Sequence, residues 1–153
     1  MQKINTQEFY TLSIMPISRI VKEKIEPDEY IRQISGPETG ALVTFSGIVR
    51  ETEEGRELRS LFYEAKETMA LKKMSEIIED AMSRFGLIDA IAVHRIGDVK
   101  TGETSVFVVA ASMHRKNAFK GCEFIIDRIK QDCPIWKKDI FTDGERWRSE
   151  TIE

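Results

Sequence analysis

"IDAIAVHRIGDVKTGETSVFVVAASMHRKNAF", residues 88–119, decides the fold. Two β-rich apolar runs, 88–97 and 103–113, flank the turn-like "DVKTG" and read as two neighbouring strands. Within the second, "VFVVAA" (Val106–Ala111) is the longest apolar stretch of the chain. It falls far short of the roughly 20 apolar residues that a membrane-spanning helix needs, so it reads as a buried strand. Past "MHR" the spacing becomes helical: from about Lys116 to Asp132, the residues Ala118, Cys122, Ile125, Ile126 and Ile129 fall on one face. Pro134 then forces the chain out of the helix into "PIWKKDIF", a last strand.

The upstream sequence supplies partners for these elements. Ala70, Met74, Ile77, Ile78, Ala81, Met82 and Phe85 recur at helical spacing between Lys66 and Phe85, and Gly86 follows as a C-terminal cap. Before that helix, "GALVTFSGIVRE" (40–51) is almost uniformly apolar, as a strand covered on both faces would be. It releases into the charged loop "ETEEGRE", and "LRSLFYEA" (58–65) brings the chain back antiparallel. "EPDEYIRQIS" (26–35) offers Pro27 for the first turn of a short helix and Gly36-Pro37 as its stop. "FYTLSIMPIS" (9–18) alternates loosely and suggests an edge strand with Pro16 near its end. The order is strand, helix, two strands, helix, two strands, helix, strand, which predicts an α+β fold with a mixed sheet rather than a doubly wound one.

At 153 residues the chain is expected to form one domain, 1–153, that buries roughly 70% of the surface its unfolded form exposes. The opening "MQKINTQEFYTLS" lacks the apolar core of a secretory signal, so cytoplasmic residence is expected. Cys122 and Cys133 are eleven residues apart, which suits neither a disulfide framework nor a zinc site, and no histidine has metal-motif spacing. No metal and no cofactor are expected. The net charge of −3 argues against bulk affinity for nucleic acid or an anionic membrane. Residues 113–138 run against that average with seven Lys/Arg and three acids, a local +4 that suits a small anionic ligand.

Within that segment, His114, Arg115 and Lys116 stand at the start of the last helix, where cations oppose the helix dipole. Either they splay into water, or a bound phosphate or carboxylate removes the conflict. His94 lies in or just after a strand with no helix start beside it and reads as a packed structural histidine. Lys130 closes the same helix, where a cation suits the dipole, and it borders the apolar stripe, a position that allows half-burial. Strand alternation then puts Ile135, Lys137 and Asp139 on one face and Trp136, Lys138 and Ile140 on the other. One lysine of the "KK" pair can therefore approach Lys130 across the Pro134 bend while the other points away. Paired ammonium groups depress one another's pKa and attract anions, a setting for proton transfer or nucleophilic chemistry. Cys133 has no base and sits at the wrong helix end to be activated, so it reads as structural.

Four blocks, "GALVTFSGIVRE", "LFYEAKETMA", "VHRIGDVKTGETSVFVVAASMHRKNAF" and "DRIKQDCPIWKKD", together resemble the large, catalytic subunit of molybdopterin synthase, the MoaE family, over about Gly40 to Trp147. The first 25 residues match weakly. The resemblance implies an α/β hammerhead-like fold with an additional antiparallel sheet. It also implies a sulfurtransferase that converts cyclic pyranopterin monophosphate into molybdopterin, in molybdenum cofactor biosynthesis. Sulfur would arrive as a thiocarboxylate on the C-terminal glycine of a small ubiquitin-like partner subunit. Two large subunits would form a homodimer, carrying one small subunit at each end. By the same resemblance Lys130 and Lys137 are the catalytic lysines, Arg50, His114 and Arg115 bind anions, Phe45 lines the pocket and Lys138 falls on a further basic position. Asp139 stands where the family commonly has Glu, and Lys66 where it often has an aromatic. The alternative is a non-catalytic anion-binding scaffold of the same fold, which the loss of either lysine would have favoured.

Overall fold

A computed structural model describes residues 17–34 and 36–148. Two sheets form, and the chain passes repeatedly between them. The first has the order β1-β5-β7-β2, built from β1 (Ile17–Val21), β2 (Ala41–Ile48), β5 (Asp89–Arg95) and β7 (Thr104–Ser112). β1 runs parallel to β5, whereas β5 with β7 and β7 with β2 are antiparallel, so the sheet is mixed as expected. The second sheet holds β3 (Thr52–Glu53), β4 (Arg56–Ala65), β8 (Ile135–Phe141) and β9 (Gly144–Trp147) in that order, with β6 (Gly97–Lys100) pairing to β4, all antiparallel. The helices are α1 (Pro27–Ile31), α2 (Glu67–Phe85) and α3 (Arg115–Asp132).

The stretch 88–119 explains the layering. β5 and β7 are buried along nearly their whole length, and their residue sizes differ between the two faces. Ala90, Ala92 and Ala110 face α2 and α3, leaving room for Met74, Ile77 and Ile78 of one helix and Cys122, Ile125 and Ile129 of the other. The bulkier Ile91, Val93, Phe107 and Val109 point to the opposite face, where Ile25 and Tyr30 cover them. Burying each large aliphatic side chain contributes roughly 1.5–3 kcal/mol, so this double-sided arrangement is the main source of stability. A third cluster, Val49, Leu58, Leu61, Tyr63, Ile96, Val99 and Phe141, belongs to the second sheet and its junction with the first.

Several expectations change. β2 alternates between half-buried and exposed positions instead of being covered on both faces, because it is an edge strand; Leu42 is 40% and Ile48 57% exposed. β4 does return antiparallel, but onto the two-residue β3 and then β8 and β6, so it forms the spine of the second sheet and does not pair with β2. Most of "DVKTG" is strand: β6 takes Asp98, Val99 and Lys100, leaving the turn to Thr101 and Gly102, whose φ is +83°. β9 was not anticipated after "PIWKKDIF". The expected strand over 9–18 lies outside the described residues up to position 16, and β1 runs on from Ile17 to Val21, beyond Pro16. The helices match the reading closely, Gly86 taking the left-handed conformation at the end of α2 with its N–H on the Met82 carbonyl.

Candidate active site

Between the two sheets, beneath the last turn of α3, lies a cavity of about 340 Å³. α3 contributes Ile126, Ile129, Lys130 and Gln131; β8 contributes Ile135, Trp136, Lys137 and Asp139; β4 contributes Leu58, Leu61 and Tyr63. Gly47, Ile48, His94, Ser105 and Val106 of the first sheet close the far side, with Arg50, Glu53 and Arg148 completing the wall.

The bend at Pro134 makes this convergence possible. α3 ends at Asp132 because Cys133 turns to an extended conformation (φ −80°, ψ 135°), as a residue before proline must. The Cys133 N–H still closes the helix on the Ile129 carbonyl at 3.2 Å, and the Pro134 carbonyl accepts from the Lys66 N–H at 3.1 Å. Lys130 in the last helical turn and Lys137 in the strand are thereby brought to one cavity. Lys130 is exposed rather than half-buried, whereas Lys137 is half-buried. Lys138 turns to the other face of the strand, 3.4 Å from Glu145 and over the rings of Phe62 and Trp147.

Charges alternate along one wall. Arg50 pairs with Glu53, Glu53 with Arg148, Arg148 with Asp139, Asp139 with Arg146 and Arg146 with Glu54. Asp139 is only 1% exposed; its Oδ2 accepts from Arg146 Nη2 at 3.0 Å and Arg148 Nε at 2.9 Å, which offsets the cost of burying the carboxylate. Hydrogen bonds to Asp139 and Glu53 raise the Arg148 pKa above its ordinary value.

Of the residues singled out in the sequence, the cavity gathers Lys130, Lys137 and Arg50. Phe45 is half-buried against the helix-facing core, beside Gly47 of the cavity wall. His114 and Arg115 are exposed at the start of α3, with no acidic residue in its first turn. Fifteen residues separate Arg115 from Lys130, which at 1.5 Å per residue is about 22 Å along the helix. Within one chain they belong to different regions. Cys133 is half-buried, and burial pushes its thiol up to about 11, so it is protonated at neutral pH.

His94 is packed, as the sequence suggested, and it also lines the cavity, which the sequence did not suggest. Tyr63, Glu53 and Arg148 were likewise missed. Their strands and loops carry no local signal of facing Lys130, since the wall exists only once both sheets are assembled. Among the described residues, no group of three or more His, Cys, Asp or Glu side chains converges in a metal-binding arrangement, and no helix is long and apolar enough to cross a membrane.

Comparison with known proteins places this geometry in context. Residues 20–132 match the family model described as MoaE protein. The chain is 39% identical over 125 residues to the molybdopterin synthase catalytic subunit of Pyrococcus abyssi, covering 82% of this chain and 84% of that protein. In structure it is similar to molybdopterin synthase from Staphylococcus aureus, with a TM-score of 0.81 and 37% identity over 85% of this chain and 95% of that one. It also resembles a chain in the complex of subunits 1 and 2 of molybdopterin-converting factor from Helicobacter pylori, with a TM-score of 0.72 and 26% identity, covering 87% and 90%.

Proposed function

This chain belongs to the MoaE family, and from that premise we propose that it is the catalytic subunit of a molybdopterin synthase, acting in the cytoplasm on cyclic pyranopterin monophosphate. The observation that carries the reading is the meeting of Lys130 and Lys137 at one cavity with Arg50 at its wall. Both reactants, a phosphate-bearing pterin and a thiocarboxylate tail, are anions. A cationic cavity between two sheets can hold them together, and proximity of well-oriented groups lowers a barrier by up to ~7–11 kcal/mol. In this reading Lys130 serves proton transfer or transient bonding at the reacting pterin carbon. Lys137 orients the thiocarboxylate and stabilises developing negative charge. Each delivery leaves one sulfur on the pterin and returns the partner's tail as a carboxylate. Two deliveries complete the dithiolene.

The small ubiquitin-like subunit is the sulfur-bearing partner, and a second copy of the chain is the other. That second copy has a specific task. If His114 and Arg115 hold the pterin's phosphate, the roughly 22 Å along α3 means they serve the cavity of the neighbouring chain and not their own. Supplying the protein with thiocarboxylated small subunit and precursor tests the reading: dithiolene product forms, and Lys130→Ala lowers its rate at least about 100-fold. A wild-type chain that makes no product, or a fully active Lys130→Ala, overturns it.

A further inference from the structure

The imidazole of His94 has no task in the reading above, yet it is 7% exposed and lines the same cavity. Its Nδ1 lies 2.8 Å from the Arg95 carbonyl oxygen. A carbonyl only accepts, so the proton sits on Nδ1, and in the neutral ring Nε2 is a hydrogen-bond acceptor. Tyr63 of β4 stacks edge-on against the ring, with centroids 4.9 Å apart and planes at 70°, which fixes its orientation. Two charged groups from other elements line the same cavity, Lys130 of α3 and Lys137 of β8. Both act in the same direction as burial, and the pKa falls to about 4, so the ring is neutral wherever the enzyme would work.

Among the side-chain acceptors of the wall, the Glu53 carboxylate and Asp139 Oδ2 are engaged by arginines, whereas the buried Asp139 Oδ1 has no hydrogen-bond partner among the described residues. Ser105 Oγ donates to the Gly47 carbonyl at 3.2 Å. A carboxylate facing the lysines would orient them but cancel the positive charge that the anionic reactants need. An imidazolium would keep that charge but repel both ammonium groups. A neutral imidazole avoids both costs.

We propose that His94 is a positioning residue whose Nε2 accepts a hydrogen bond from an ammonium of the Lys130–Lys137 pair, aiming it into the cavity without neutralising it. The proposal rests on the sulfur-transfer reading of the cavity for its kinetic consequence, and on geometry alone for its spectroscopic one.

Two substitutions separate orientation from packing. In His94→Asn the amide occupies the δ position and can still donate to the Arg95 carbonyl but ends short of Nε2. In His94→Gln the amide oxygen reaches the ε position. With thiocarboxylated small subunit and precursor, His94→Asn is expected to lower kcat about 10-fold or more with KM changed less than about 3-fold, while His94→Gln stays within about 3-fold of wild type. Equal losses in both variants, or none in His94→Asn, overturn the proposal. The second measurement is independent of turnover. In 15N spectra of the labelled imidazole at pH 7, Lys130→Ala or Lys137→Ala is expected to move the Nε2 resonance toward that of an unbonded acceptor while Nδ1 keeps its proton. An Nε2 resonance unmoved in both variants also overturns it. Should wild type make no product, the function reading fails, and this spectrum still decides the role of His94.

Discussion

Burial of His94 ties folding to pH. Its pKa falls from 6.5 in the unfolded chain to about 4 in the folded one, chiefly through desolvation. The unfolded state therefore binds the extra proton first as pH drops, so this contribution is fully present well above pH 6.5, declines through the interval down to about 4 and is lost below it. Between pH 8 and pH 5 the wild type should lose about 2 kcal/mol of unfolding free energy relative to His94→Gln, which cannot titrate. Urea unfolding of both proteins at the two pH values measures it; equal losses would show that the ring is protonated in the folded state. The same residue marks a limit of sequence reading. Its packing was legible from its strand, whereas its cavity-facing position depends on β4, α3 and β8, none of them adjacent to it in sequence.

Among the elements, α3 does two jobs with two ends. Its buried stripe was legible from spacing alone, and so was the opposition of Lys137 and Lys138, because side chains alternate along any strand. Less legible was β2, whose apolar run suggested cover on both faces although it sits at a sheet edge; edge position depends on which strands pair, which spacing does not encode. Ile125, fully buried where α3 meets α2 and the sheet, anchors the helix that carries Lys130. Ile125→Ala should destabilise the protein by about 2–5 kcal/mol, through lost contacts and the cavity left behind. Chemical denaturation reads that loss; a cost under about 1 kcal/mol would mean that the helix repacks freely.

For the whole molecule, the separation between Arg115 and Lys130 makes subunit exchange informative. A Lys130→Ala chain and an Arg115→Ala chain would each be defective alone. If His114 and Arg115 bind the phosphate, as proposed, and serve the neighbouring cavity, random mixing should restore about a quarter of wild-type activity, since half the dimers are mixed and one of two sites in each is intact. If both residues serve their own chain's cavity, mixing restores nothing. The α+β class and the mixed sheet were legible because the helices and central strands carry strong periodicity. The second sheet was less so: β3, β6 and β9 have two, four and four residues, too short for a pattern to emerge.

The short strand β6 has a mechanical consequence. The chain crosses between the sheets from β2 to β3, from β4 to β5, from β5 to β6, from β6 to β7 and from β7 to β8. A hinge concentrates its motion in a few linking residues, and five crossings at different places leave no such line to fold along. The two walls behave as a sewn pouch rather than a jaw. A ligand of the cavity must then enter and leave without the two sheets swinging apart.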